Sequence, residues 1–269
     1  MSTLTATSPA PVVRRERQAH APIPATRVLA VELRKMFDTR SGFWLVMSIG
    51  ILALLATGAT IAFAPEEAQT YGNFAAAIGF PMAVVLPMVA ILSVTSEWSQ
   101  RSGLTTFTLV PSRGRVIAAK AVGAIGIGVV SMLLALGIGA LGNIVGTAIS
   151  GAPTTWDVSV AEFSSIVLAT VLGMVVGFTL GVVLRSSAAA IVGYFVYSLL
   201  LPTAFGMLAA FQDWFRDLQP WVDFQYNQTM LYDRVPDAEN WAQLGVSALP
   251  WLALPLAVGL VMLHRSEVK

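Results

Sequence analysis

The sequence predicts an all-α polytopic membrane protein: six transmembrane helices, with the N- and C-termini both cytoplasmic. Three observations carry that prediction. Six apolar stretches each reach the ~20 residues that a helix needs to cross a bilayer. Charged residues make up 12% of the 269-residue chain, about half the share usual in soluble domains, and the mean hydropathy is +0.72. Fourteen of the sixteen Lys and Arg residues fall on one side of the apolar alternation, which the positive-inside rule assigns to the cytoplasm.

Residues 1–23 are rich in Pro, Ala, Thr and Arg without periodicity, and read as a disordered cytoplasmic tail. Residues 24–269 read as one transmembrane domain. Within it, residues 25–40 form an amphipathic helix: Leu29, Leu33, Met36 and Phe37 recur on one face, with Arg34 and Lys35 among the polar remainder. A helix cationic on one face and apolar on the other belongs in the cytoplasmic interface, and Ser41-Gly42 is read as its end.

The spans then follow at 43–64, 74–95, 121–149, 160–184, 188–211 and 242–263. The first is too apolar for too long to be a cleaved signal peptide, despite Ala62-Phe63-Ala64. The third, being longest, must tilt or run past the hydrocarbon. Only Arg185-Ser186-Ser187 separates the fourth from the fifth. Opposite the basic side, the loops hold ten of the fifteen acids and only Arg216 and Arg234 as cations. The last of these loops, 212–241, is aromatic: Trp214, Phe215, Leu218 and Trp221 fall at helical spacing until Pro220 interrupts the run. It reads as short external half-helices before the last span, or as an ordinary aromatic belt.

Much chemistry is excluded. The chain has no Cys, and its two histidines, His20 and His264, lie outside the spans, so thiol, Ser–His and metal chemistry find no residues. No Asp, Glu, Lys or Arg lies well inside a span, although ion-coupled transporters relay ions through such groups. Gly137-Ile138-Gly139-Ala140-Leu141-Gly142 matches a dinucleotide fingerprint but sits mid-span without a preceding strand, so it reads as close packing. The G-x-x-x-G spacings of Gly142 with Gly146, and of Gly173, Gly177 and Gly181, read the same way. No Gly-Lys pair occurs, so the chain carries no P-loop and is not itself an ATPase.

The cytoplasmic loop between the second and third spans is the most distinctive segment. It joins Glu97 at a membrane edge, a short amphipathic stretch, a Pro turn at Pro111 and the basic cluster Arg113, Arg115 and Lys120. That pattern suits a small helix presented to a cytosolic partner. With Val31-Glu32-Leu33-Arg34-Lys35, Thr39-Arg40-Ser41, Gly103-Leu104-Thr105-Thr106 and Pro111-Ser112-Arg113-Gly114-Arg115 in this order, the chain resembles the ABC-2 family of transporter permeases. The resemblance spans essentially the whole chain. It implies a transmembrane subunit in the cell membrane that pairs with a second permease copy or paralogue. Two separate ATPase subunits would bind the ATP, with no cofactor held by this chain. It also implies that Glu97, Gln100, Arg101, Gly103, Leu104, Thr105, Thr106, Pro111, Arg113 and Arg115 couple to the ATPase, and that residues 25–40 are the connecting helix.

The expected function is therefore ATP-driven export of a lipophilic, amphipathic or lipid-linked substrate, with no nucleic-acid partner. Glu97 would order the coupling loop or pair with a partner's cation. Pro81, Pro87 and Pro202 are candidate hinges, and Asn143, Tyr194 and Tyr197 are candidates to face a path or a helix interface. The alternative is a passive channel or membrane scaffold, which would copurify with no ATPase and ignore nucleotide.

Overall fold

A computed structural model describes residues 23–38, 40–99 and 113–265. Gln100, Arg101, Gly103, Leu104, Thr105, Thr106 and Pro111 lie outside the described residues, as does the expected tail up to residue 22. The helices are α1 (Ala25–Asp38), α2 (Arg40–Phe63), α3 (Tyr71–Ser99), α4 (Arg113–Ser150), α5 (Val160–Leu184) and α6 (Ser187–Phe195). They continue with α7 (Leu201–Phe211), α8 (Asp213–Val222), α9 (Phe224–Asp233), α10 (Ala238–Ala248) and α11 (Leu254–Arg265). No strand occurs among the described residues. Six helical stretches are long and apolar enough to cross a membrane: 42–63, 71–99, 114–150, 160–184, 187–211 and 238–263.

Several bounds differ from the sequence expectation. Ser41 and Gly42 both lie inside α2, so the helix does not end at Ser41-Gly42 as expected. Helix α4 starts at Arg113, so Arg115 and Lys120 are helical and not in the loop. At 1.5 Å per residue its 38 residues extend about 57 Å, well beyond a ~30 Å hydrocarbon core. Pro220 does not end α8, which runs on to Val222; Asp223 makes the break and caps α9 by accepting from Tyr226 N at 3.1 Å.

Helix α3 is the centre, packing on α5, α4 and α2. Small residues bring it close to α5. A Cβ on Gly177 would stand 2.9 Å from the Pro87 carbonyl oxygen, and Gly181 faces Val94 as closely. Gly142 and Gly146 accept Phe74, Thr57 and Gln69 in the same way, so the glycine spacings serve helix packing. The outward faces stay apolar, with Leu54, Leu55, Leu134 and Leu141 each more than 60% exposed. In a bilayer such faces meet lipid.

Both long outer spans are broken by a π-helical turn. Val196–Leu200 separates α6 from α7, and Leu249–Ala253 separates α10 from α11. Pro202 follows the first turn and Pro250 lies in the second. Proline lacks the N–H that an α-helix would use, and a π-turn absorbs the mismatch. The two turns meet through the Tyr197 and Trp251 rings, whose centroids are 6.0 Å apart.

Candidate functional site

The Lys- and Arg-rich end of the bundle contains a buried charge cluster. Lys120 on α4 points between α1 and α3. Its Nζ lies 2.5 Å from Glu32 Oε2, 3.0 Å from Glu97 Oε1 and 3.0 Å from the Ser93 carbonyl oxygen. Three acceptors match the three protons of an ammonium. Lys35 closes the cluster from outside, 2.9 Å from Glu32 Oε1 and 3.3 Å from Glu97 Oε1. The side chains of Glu32, Glu97 and Lys120 are at most 4% exposed, whereas Lys35 is 42% exposed. Two acids and two bases make the cluster neutral as a whole: Lys120 is buried with both carboxylates, and the half-exposed Lys35 balances the second of them. A buried charge left unpaired would cost several kcal/mol.

Helix geometry explains why these residues meet. Val28, Leu29, Glu32, Leu33 and Met36 share one face of α1, and that face packs on α4 at Gly123. Glu32 therefore sits in the middle of an apolar stripe and needs a cation. Lys120 supplies it from nearly one turn below Gly123. The apolar stripe of α1 thus rests on protein, while Phe37 stands off it at 46% exposure. Arg34 is exposed, and Arg115 donates from Nη2 to the Ile23 carbonyl, tying the start of α4 to the start of α1. Burial opposes the charge of Lys35, but its hydrogen bond to Glu32 and the charges of Glu97 and Glu32 outweigh that. Its pKa stands above the ordinary lysine value.

A cavity of about 290 Å³ opens beside the cluster, between α1, the start of α2 and the end of α3, with Leu45, Val46 and Leu92 among its apolar walls. Helices α3 and α4 leave the cluster toward residues 100–112, the segment expected to meet a partner. Of the expected coupling residues, the structure places Glu97 in the cluster and Arg115 against the Ile23 carbonyl at the start of α1, and Arg113 is the first residue of α4. Glu32 was missed as a site residue, although an acid on the apolar face of an amphipathic helix is a readable signal.

The opposite end holds a polar seam under the α8–α9 pair. Gln228 Nε2 donates to the Ala169 carbonyl at 2.9 Å, and Tyr197 Oη donates to Gln228 Oε1 at 2.8 Å. Asn227 Nδ2 donates to the Pro220 carbonyl at 2.6 Å and to Ser247 Oγ at 3.0 Å. Trp251 Nε1 donates to the Val222 carbonyl at 2.8 Å. Asn227 is fully buried, so the Asn-Gln-Thr sequon it begins is closed to glycosylation in this fold. The pair is thereby pinned to α5, α10 and both π-turns.

The candidate path and hinge residues fall inside this framework. Pro87 cannot donate to the Ala83 carbonyl, and Tyr194 Oη donates to that carbonyl instead, at 3.1 Å. Pro81 and Pro87 both lie within the continuous α3. Asn143 is fully buried and donates from Nδ2 to the Thr155 carbonyl at 2.9 Å, holding the 151–159 loop. That loop caps α3, because Asp157 Oδ1 accepts from Gly72 N at 2.7 Å. Tyr194, Tyr197 and Asn143 thus all serve contacts within the chain.

No protein-family model matches this chain, and no curated protein matches it.

Proposed function

We propose that this chain is the membrane subunit of an ATP-driven exporter of the ABC-2 type, working with a second permease and two separate ATPase subunits in the cell membrane. The observation that carries the reading is the Glu32–Lys35–Glu97–Lys120 cluster. It clamps α1 to the two helix ends that flank residues 100–112, so that a push on that segment reaches three helices together. A neutral, fully paired ion cluster is directional and resists slippage, although it adds little net stability over an apolar contact.

The charge distribution supports placing this end in the cytoplasm. The lack of ionisable groups deep in the spans leaves no residue for ion coupling, so the energy must come from another chain. On this reading α1 is the connecting helix and α8–α9 are the external half-helices. Movement at the end of α3 passes to α5 through the close glycine contacts and to α6 through the Tyr194–Ala83 bond. The paired π-turns then let the outer parts of the last two spans move with α8–α9. Spans with few polar groups suit a lipophilic, amphipathic or lipid-linked substrate better than small hydrophilic ions.

The test is substitution at the clamp and at the segment beyond it. Glu97→Ala and Arg101→Ala should each weaken ATPase association and lower transport while the chain still reaches the membrane. If both variants keep association and transport intact, the coupling assignment fails. A passive channel or scaffold predicts that outcome, together with nucleotide-independent behaviour.

A further inference from the structure

Arg185 is the one non-glycine residue with positive φ among the described residues, at φ 53° and ψ 21°. It ends α5 in the left-handed conformation, with its N–H donating to the Gly181 carbonyl at 3.0 Å. Glycine is the usual residue there, because a side chain crowds the backbone in that region. The neighbouring polar groups are committed elsewhere. Ser186 caps α6, accepting from Ala189 N, and Ser187 Oγ lies 2.8 Å from Thr95 Oγ1.

The guanidinium itself is incompletely used. It stacks near the Trp98 ring, 6.0 Å from the centroid, yet its buried Nε and Nη2 have no hydrogen-bond partner. Those two nitrogens form one edge of the guanidinium fork, the edge that grips both oxygens of an oxyanion. Buried donors without acceptors are costly and call for an explanation. A residue strained in its backbone and unsatisfied in its side chain is placed for a ligand.

We propose that Arg185 and Trp98 form a site for the phosphate of an anionic membrane lipid. The position selects the lipid. A two-residue turn, Arg185-Ser186, joins two apolar spans and so lies level with the headgroups, too short to extend into the cytosol. Leu184 beside it is 42% exposed, offering an apolar surface for the lipid chain. Trp98 belongs to the last turn of α3, next to Glu97, so an occupied site bears on the helix end held by the charge cluster. The proposal assumes only that the apolar helices lie in a bilayer, and it stands or falls apart from the ATPase.

The test uses the full chain, delipidated in detergent and titrated with dioleoylphosphatidylglycerol, with dioleoylglycerol as the phosphate-free control, read by native mass spectrometry. Arg185→Gly must stay folded, because glycine adopts this backbone freely. It should bind phosphatidylglycerol roughly ten- to a hundredfold more weakly, as expected for a lost charged hydrogen-bond pair. Arg185→Lys keeps the charge and loses the fork, and should also bind more weakly. Dioleoylglycerol should not distinguish the three proteins. Unchanged phosphatidylglycerol affinity in Arg185→Gly overturns the site. Displacement of the lipid by equimolar inorganic phosphate overturns the lipid assignment in favour of a free anion. Unchanged lipid binding with loss of a cytosolic partner would instead assign the fork to a protein carboxylate and likewise overturn it.

Discussion

Replacing Lys120 by Met should be far more damaging than replacing Lys35 by Met, although both remove one cation from the same cluster. Lys120 is 3% exposed, with oxygens of Glu32, Glu97 and Ser93 within 3.0 Å. Its loss leaves two buried carboxylates facing a single, half-exposed ammonium. Breaking a buried pair in this way costs about 3–5 kcal/mol. Lys35 is 42% exposed, and water can replace it, so its loss should cost about 1 kcal/mol or less. In a thermal melt of the purified chain, the first change should lower Tm by on the order of 10 °C and the second by a few degrees. The double variant Lys120→Met with Glu32→Leu leaves Glu97 paired with Lys35 and removes the orphaned acid. It should recover more than half of the Lys120→Met loss. Equal losses for the two lysine variants, or a double variant that merely sums its single losses, would refute the account of the cluster.

Three further outcomes follow from the same structure. Gly177→Ala pushes a methyl against the Pro87 carbonyl and should cost about 1–3 kcal/mol, whereas Gly50→Ala, with open space around it, should be nearly neutral; equal melting temperatures would remove the close α3–α5 contact. Because the folded pKa of Lys35 is raised, its contribution is complete below its unfolded pKa of about 10.4 and is lost as pH rises through the folded value. The wild type should therefore lose more stability above that pH than Lys35→Met does, and parallel alkaline profiles would argue against the pairing. Gln228→Ala removes the links to Tyr197 and Ala169, so hydrogen exchange in residues 213–233 should speed up while the charge cluster stays protected; unchanged exchange would mean the seam does not hold α8–α9.

How much of this was legible in the sequence depends on the range of the interaction. The six apolar stretches could be read because hydropathy is a local property, and their cores agree with the helices in the structure. Their ends could not, since Arg115 and Lys120 continue α4 without apolar character, and hydropathy does not detect a helix beyond the bilayer. The π-turns leave only Pro202, Pro250 and Pro255 as traces, and Pro81, Pro87 and Pro220 carry the same signal without one. Glu97 stood out as an acid at a membrane edge and Lys120 as one of a basic cluster in the loop. Their union with Glu32 joins positions 88 residues apart and needed the packing of α1 on Gly123 to appear. Tyr194 was visible as an amphipathic residue, but its role at the Ala83 carbonyl depends on a proline in another helix.

The proposal that another chain supplies the energy is tested most directly by ATP hydrolysis in the complex that a tagged copy of this chain brings out of its own membranes in mild detergent. The account predicts that a P-loop-bearing subunit accompanies the wild type, that the complex hydrolyses ATP, and that Glu97→Ala reduces both. A preparation without ATP hydrolysis, together with substrate flux in proteoliposomes that is the same with and without ATP, would contradict it.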